Sequence, residues 1–453
     1  MSSKSSHSLS HSFSISQLRL LIAGALSALA YTYLALNSQE YAQATLTQML
    51  IVSGFSATMC LWTYIYYSSR SVEVSWSLIF VFAVIFRIIG FLAFPILEDD
   101  IFRYMWDGRM TIENGTPYGF IPADFFEADL NDRFEDILGL VNYPTIATIY
   151  GPVCQWVFAA AYLIAPGEVW PLQLIFGLAD ILIILVLSRL TKPLMVLLYA
   201  WSPLIIKEFA FTAHPDVLGA LFLVLAYYAY RREAFLWVGA LLALATGVKV
   251  FAIVMVPFLL GWQWRGWLLF LSIAIGVSLP FGVSEAWVPA GLKVMNDNWL
   301  FNAPIYSAVL PWSSIANIKL VLFSGFIVGG GLYGLFAMRH WWINKQPLQE
   351  IRGDLLFGGL FICLPALNVW YMVWLLPFAA LRPSLQSSLW AWTASVAMLL
   401  SYASGINLAR SNLGPYDHHP WLLIVEFGII ALAILVQYLI RNSTASAVNP
   451  VKT

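Results

Sequence analysis

SLIFVFAVIFRIIGFLAFPILEDDIFRYMWDGR, Ser77–Arg109, joins an apolar run of bilayer length to three consecutive acids. The run 77–95 is close to the ~20 residues that carry an α-helix across a hydrocarbon core, and Glu98, Asp99 and Asp100 begin where such a helix would meet water. The same apolar signature recurs along the chain. Spans are predicted near 18–36, 47–67, 77–95, 172–189, 194–211, 217–230 and 235–248, then near 250–263, 266–282, 316–338, 354–367, 369–381, 386–403 and 421–440. Several are shorter than a perpendicular crossing needs, which marks them as broken or re-entrant.

The totals agree. Of 453 residues, 60% are hydrophobic, and the 23 basic and 24 acidic side chains make up 10%. A soluble globule carries about a quarter charged residues, and a disordered chain does not carry 16% aromatics. The expectation is an all-α polytopic membrane protein with about 12–14 transmembrane helices and a long outer loop bearing short amphipathic helices. A net charge of −1 offers no field for nucleic acid. Cys60, Cys154 and Cys363 are too scattered for a disulfide framework or a cysteine metal site.

Basic residues at alternate turns set the orientation. Arg70, Arg189, Arg231, Arg265, Arg352, Arg382 and Arg441 all face the cytoplasm if the N-terminus does and if 151–166 is not a full crossing. Residues 1–17 and 441–453 are then cytoplasmic tails around a single transmembrane domain, 18–440, with outer loops at 98–150 and 283–315. No polar stretch is long enough for a nucleotide-binding domain, and no GxGxxG or Walker loop is present, which disfavours a nucleotide-sugar enzyme or an ATP-driven pump.

The loop from Glu98 holds eleven acids within 98–136, opposed only by Arg103, Arg109 and Arg133. Asp124–Asp136 reads equally well as a solvated amphipathic segment. Glu98–Arg109 is different: three adjacent carboxylates at a membrane boundary repel one another unless donors or cations meet them. If 100–110 is helical, Arg103 lies one turn from Asp99 and Asp100, and Asp107 one turn from Arg103. A carboxylate there is placed to act as a general base, and a guanidinium to hold phosphate. The competing reading is a salt-bridged helix start.

Other polar groups fall on the same side. His214–Pro215–Asp216 sits between apolar runs, where Asp216 reads either as a helix cap or as a site residue. Lys249 stands in the apolar LALATGVKVFAIVMVPFLL, where an amine snorkels to the interface or meets an anion such as a lipid phosphate. Asn and aromatic residues around Trp299, and the segment LNVWYMVWLLPF with Trp370 and Tyr371, suit either a sugar-binding face or an interfacial belt. Asp417, His418 and His419 are consecutive and so make poor joint ligands for one ion, and Asp180 is expected to be hydrogen-bonded inside the bundle.

Together these elements resemble the polytopic GT-C glycosyltransferases. The likeness is to polyprenyl-phosphate-mannose-dependent enzymes and to the mannosyltransferase that adds the first mannose of the GPI glycolipid. It rests on EDDIFRYMWDGR, GTPY, TIYGP, His214–Asp216, Gly247–Lys249 and Trp370–Phe378, in that order over roughly 90–380. Two extra spans precede the acidic motif, and the return element reads YGP. The resemblance implies transfer of mannose from a polyprenyl-phosphate donor to a hydroxyl of a glycan or glycolipid, with inversion. The reaction would take place on the periplasmic face of a bacterial inner membrane, or on the lumenal face of the ER. Asp100 would be the base, with Asp99 as the alternative. Lys249, Arg103, Arg109 and His214 would hold the donor phosphate. Asp107, Tyr118, Tyr150, Asp216, Trp299, Trp370 and Tyr371 would line the substrates, and neither metal nor cofactor is expected. A transporter or flippase of a lipid-linked glycan, and a non-catalytic scaffold, are the rival readings.

Overall fold

The structure is a computed structural model that describes residues 15–37, 43–70, 72–344, 346, 348, 350–404 and 420–448. Among them there are helices and no strands; one isolated bridge joins Phe301 to Ala366. Each apolar span expected from the sequence coincides with helical structure. Six helices are long and apolar enough to cross a membrane, or seven if the pair Pro193–Ala200 and Pro203–Phe211, bent by 46°, is one span. Six shorter apolar helices accompany them. The chain is an all-α, multi-pass membrane protein.

The first three helices, α1 (Ile15–Asn37), α2 (Gln43–Arg70) and α3 (Trp76–Phe91), pack together ahead of the long loop that holds the acidic motif. Ser75 caps α3 by accepting a hydrogen bond from the Leu78 amide. The loop contains α4 (Asp100–Glu113) and the short amphipathic α5 (Asp132–Leu140), which buries Phe134, Ile137 and Leu138. The chain then re-enters at α6 (Pro152–Ile164). At 1.5 Å per residue, this 13-residue helix extends about 20 Å, short of a ~30 Å hydrocarbon core. The final helix continues to Val448, past the boundary expected at 440. The late loop with Asp417, His418 and His419 lies outside the described residues. All three cysteines are free and buried.

Asp180, on α7 (Trp170–Leu190), is fully buried and pairs with Arg87 of α3, Nε to Oδ2 at 2.8 Å. Tyr199 donates to its other oxygen at 2.8 Å, and Arg87 also donates to the Ala200 carbonyl. A charge removed from water is stable only with its partner. Asp180→Ala is expected to cost about 3–5 kcal/mol by stranding the guanidinium. Replacing both residues (Arg87→Met with Asp180→Leu) should recover most of the loss, read as thermal unfolding of the purified protein.

Glycines set how closely this long loop meets the bundle. A Cβ on Gly151 would lie 2.3 Å from the Gly247 carbonyl oxygen, and one on Gly247 would lie 2.7 Å from Val153 Cγ2. The YGP re-entry and the turn before Lys249 therefore touch backbone to backbone, which brings the segments that carry Tyr150 and Lys249 together. Gly151 has φ −73°, so alanine is conformationally acceptable there and only the contact is lost. Gly151→Ala is expected to destabilise the protein by about 1–3 kcal/mol, because its Cβ must push the two segments apart, read as a lower unfolding temperature with circular dichroism at room temperature unchanged. An unfolding temperature equal to wild type would show that this contact does not hold the segments.

Candidate active site

Helix α4 starts at Asp100, with Asp99 at its cap position. Asp100, Arg103 and Asp107 follow at helical spacing and share one face. Arg103 Nε bonds Asp107 Oδ1 at 2.9 Å, and its Nη1 donates to the Ile146 carbonyl at 3.0 Å. The other oxygen of Asp107 accepts from Gln155 at 3.1 Å and from Thr148 at 2.5 Å. Arg103 and Asp107 thus stitch the returning segment 142–151 onto α4. Asn142 Nδ2 donates to Asp99 at 2.8 Å and to Asp100 at 2.6 Å, and the Tyr150 hydroxyl donates to Asp100 Oδ2 at 3.0 Å. Burial pushes the Tyr150 phenol well above its usual range, and the adjacent Asp100 charge adds to this, so the hydroxyl keeps its proton.

The facing wall comes from the bundle. Lys249 Nζ reaches Asp216 at 3.0 and 3.2 Å and lies 4.5 Å from the centre of the Tyr371 ring. Asp216 also accepts from Trp374 Nε1 at 2.6 Å. It does not cap its own helix, Asp216–Arg231, so the capping reading gives way to an ion pair. His214 stacks on Trp370 with centroids 4.4 Å apart. Between the walls lies a cavity of about 250 Å³ lined by Asp100, Arg103, Asn142, Tyr150, His214, Asp216 and Lys249. Trp299, Phe301, Asn368, Trp370 and Tyr371 complete the lining, so aromatic rings face a floor of charged and amide groups.

Four of the expected residues lie elsewhere. Asp99 is 4% exposed and does not line the cavity. Asp107 is buried behind it as the partner of Arg103. Tyr118 donates to the Tyr150 carbonyl at 2.8 Å and packs on Phe281, so it supports Tyr150 rather than a ligand. Arg109 pairs with Glu113 at 2.7 Å and covers the Phe134 ring at 4.7 Å. Nine residues beyond Asp100, it stands about half a turn around α4, facing α5 instead of the cavity. His214, expected to donate to phosphate, has Nδ1 3.3 Å from the Tyr104 hydroxyl and Nε2 3.4 Å from Glu208 and 3.6 Å from Glu98.

Four residues escaped the sequence reading: Asn142, Lys207, Glu208 and Tyr402. Asn142, the amide that meets both acids, lies six residues before TIYGP without any distinguishing pattern. Lys207 and Glu208 form a buried pair at 3.3 Å behind His214, joined by Tyr402, whose hydroxyl reaches Glu98 at 3.1 Å. Their signal was available, since two charges inside an apolar span are costly unless they serve the interior. Glu98, Asp99 and Asp100 present oxygens within 4.8 Å of one another, a hard-cation donor set, though Asn142 and Tyr402 already meet them with hydrogen-bond donors. Backbone strain gathers here too. Among the described residues, five non-glycines take positive φ, and Leu97, Tyr143, Ala213 and Asn302 border or adjoin the cavity lining or its polar support.

Comparison with known proteins gives one match. The family described as alpha-(1->6)-mannopyranosyltransferase, N-terminal domain, matches residues 18–266, which hold the acidic motif, the YGP return, His214–Asp216 and Lys249. No curated protein and no solved structure matches the chain. The match extends over more than half of the 453 residues, so the chain belongs to the alpha-(1->6)-mannopyranosyltransferase family, a GT-C-type family of membrane mannosyltransferases.

Proposed function

We propose that the protein transfers mannose from a polyprenyl-phosphate donor to a hydroxyl of a glycan or glycolipid on the outer face of the membrane, inverting the anomeric carbon. That face is the periplasm of a bacterium or the lumen of the ER. Asp100 takes the acceptor's proton as the acceptor oxygen bonds to C1, and the bond from C1 to the phosphate oxygen breaks on the opposite side. The polyprenyl phosphate departs with an added negative charge, and the proton on Asp100 passes to solvent.

One observation carries this reading: Asp100 and Lys249 line the same cavity. A carboxylate has about four lone-pair positions, and Asn142 and Tyr150 occupy two of those on Asp100, which leaves room for an acceptor hydroxyl. Asp99 has no share of the lining, which favours Asp100 over it. Lys249 and Arg103 supply fixed cations for the leaving phosphate. Arg109 is dropped from that role, and His214 is read as a support for the wall instead of a phosphate donor. The aromatic rings of Trp299, Trp370 and Tyr371 offer faces to a sugar or a prenyl chain.

Asp100→Asn keeps the size and the Tyr150 contact but removes the base. Mannose transfer by the purified protein from a polyprenyl-phosphate donor should fall about 10²–10⁴-fold, with donor binding retained. Lys249→Met should instead weaken donor binding as well as turnover, because it removes charge from both ground and transition states. A flippase predicts no product at all, and a scaffold predicts that neither change matters more than its neighbours. Full transfer by Asp100→Asn removes the assignment.

A further inference from the structure

The segment that brings Trp370 and Tyr371 to the cavity is a hairpin whose other end builds a second site. Helix Gly353–Ile362 leads toward the tip, and Val369–Trp374 and Leu376–Ala380 lead back. The ends meet, because Arg382 Nη1 donates to Glu350 at 3.0 Å across 32 residues. Asn368, Trp370 and Tyr371, near the tip, line the candidate active site, while Arg352 and Arg382, at the root, line a different cavity of about 560 Å³. Arg441 of the last helix contributes a third guanidinium, and no carboxylate is among the lining residues.

Arg352 and Arg382 are held in shape, and Arg382 is incompletely satisfied. Asp354, fully buried, grips Arg352 through two hydrogen bonds of 2.9 and 2.7 Å. Among the described residues, Arg382 has one carboxylate contact, with Glu350, whose side chain is 61% exposed, and its Nε is buried with no hydrogen-bond partner. A guanidinium donates five N–H groups in a planar fork suited to phosphate oxygens. An orphaned buried N–H is costly to leave unmade. The cavity also shares Gln386 with a groove lined by Tyr64, Ile65, Leu385 and Leu389 together with Ser68 and Ser69, and Ile65 is exposed on the apolar surface. A basic pocket adjoining a mainly apolar groove matches an amphiphile with a phosphate head better than a free ion.

We propose that this cavity binds the phosphate of an anionic phospholipid headgroup, with an acyl chain along the adjoining groove, at the root of the hairpin that carries Trp370 and Tyr371. Binding is independent of the transfer reaction, so Asp100→Asn should leave it unchanged.

The test uses the full chain in detergent, titrated with phosphatidylglycerol, phosphatidylcholine or inorganic phosphate, with bound lipid read by native mass spectrometry and stability by thermal unfolding. Phosphatidylglycerol should be retained and should raise the unfolding temperature, whereas phosphatidylcholine should do neither. Arg382→Gln should weaken phosphatidylglycerol binding about tenfold. Gln386→Glu, at an exposed position where folding is not at stake, should weaken it similarly by placing a carboxylate in the pocket. If inorganic phosphate matches the lipid's effect with the same dependence on the variants, the phosphate site stands and the lipid is overturned as its source. Equal binding by wild type and both variants, or equal response to the two lipids, overturns the proposal.

Discussion

The geometry of the cavity depends on two backbones in direct contact. Gly151 and Gly247 let the loop's re-entry point and the turn before Lys249 approach to a separation that no side chain would allow. Cys154 Sγ, 3.5 Å from the Val248 carbonyl, lies in the same seam. The pattern extends outward: a Cβ on Gly108 would lie 2.4 Å from the Phe158 carbonyl oxygen, and one on Gly291 would lie 2.0 Å from that of Ala147. Helix α4, the return segment and the segment around Gly291 are thus set against their neighbours by main-chain contacts. In a bilayer, where lipid is as apolar as leucine, such close approach is a main source of helix association. It also fixes the gap between Asp100 and Lys249 through rigid elements, with no flexible linker between the walls.

Electrostatics around the cavity follow from the same exclusion of water. Lys249 has Asp216, Arg103 has Asp107, Arg87 has Asp180, and Lys207 has Glu208. An isolated cation among these apolar helices would be too costly, so each is built with its counter-charge. For the lipid-phosphate donor we propose, the phosphate would meet an ion pair, not a bare amine. That would temper ground-state attraction, since Asp216 already holds Lys249. As the proposed leaving group gained charge, its share of the lysine's field would grow, so the arrangement would respond more to the transition state than to the bound donor.

The sequence makes much of this visible and conceals a definable remainder. The apolar spans, the acidic start of α4 and the Tyr-Gly-Pro return are local patterns, and the elements they describe are present. Even the misplacement of Arg109 was readable, since helix phase turns it away from Asp100. What could not be read lies in contacts between distant segments. Asp216 meets Lys249 across 33 residues, Arg382 meets Glu350 across 32, and Tyr402 meets Glu98 across 304. Composition gives each of these residues a plausible solitary role, as a cap, a topology signal or an interfacial ring. Only the fold supplies the partner that changes it.

The irregular backbone points to the same centre. A bilayer tolerates non-α backbone only where protein or a cavity supplies the missing hydrogen-bond partners. Ile206–Phe211 is a π turn carrying Lys207 and Glu208, while Val250–Met255 and Val369–Trp374 are 3-10 turns that begin beside Lys249 and contain Trp370 and Tyr371. All three lie where apolar spans were expected, and each interrupts its span next to the cavity lining or its polar support. The polar and aromatic groups that these turns carry or border, among them Lys249, Trp370 and Tyr371, sit at the cavity. The short helices that complicate a count of crossings are therefore the same feature that admits a charged site into an apolar bundle.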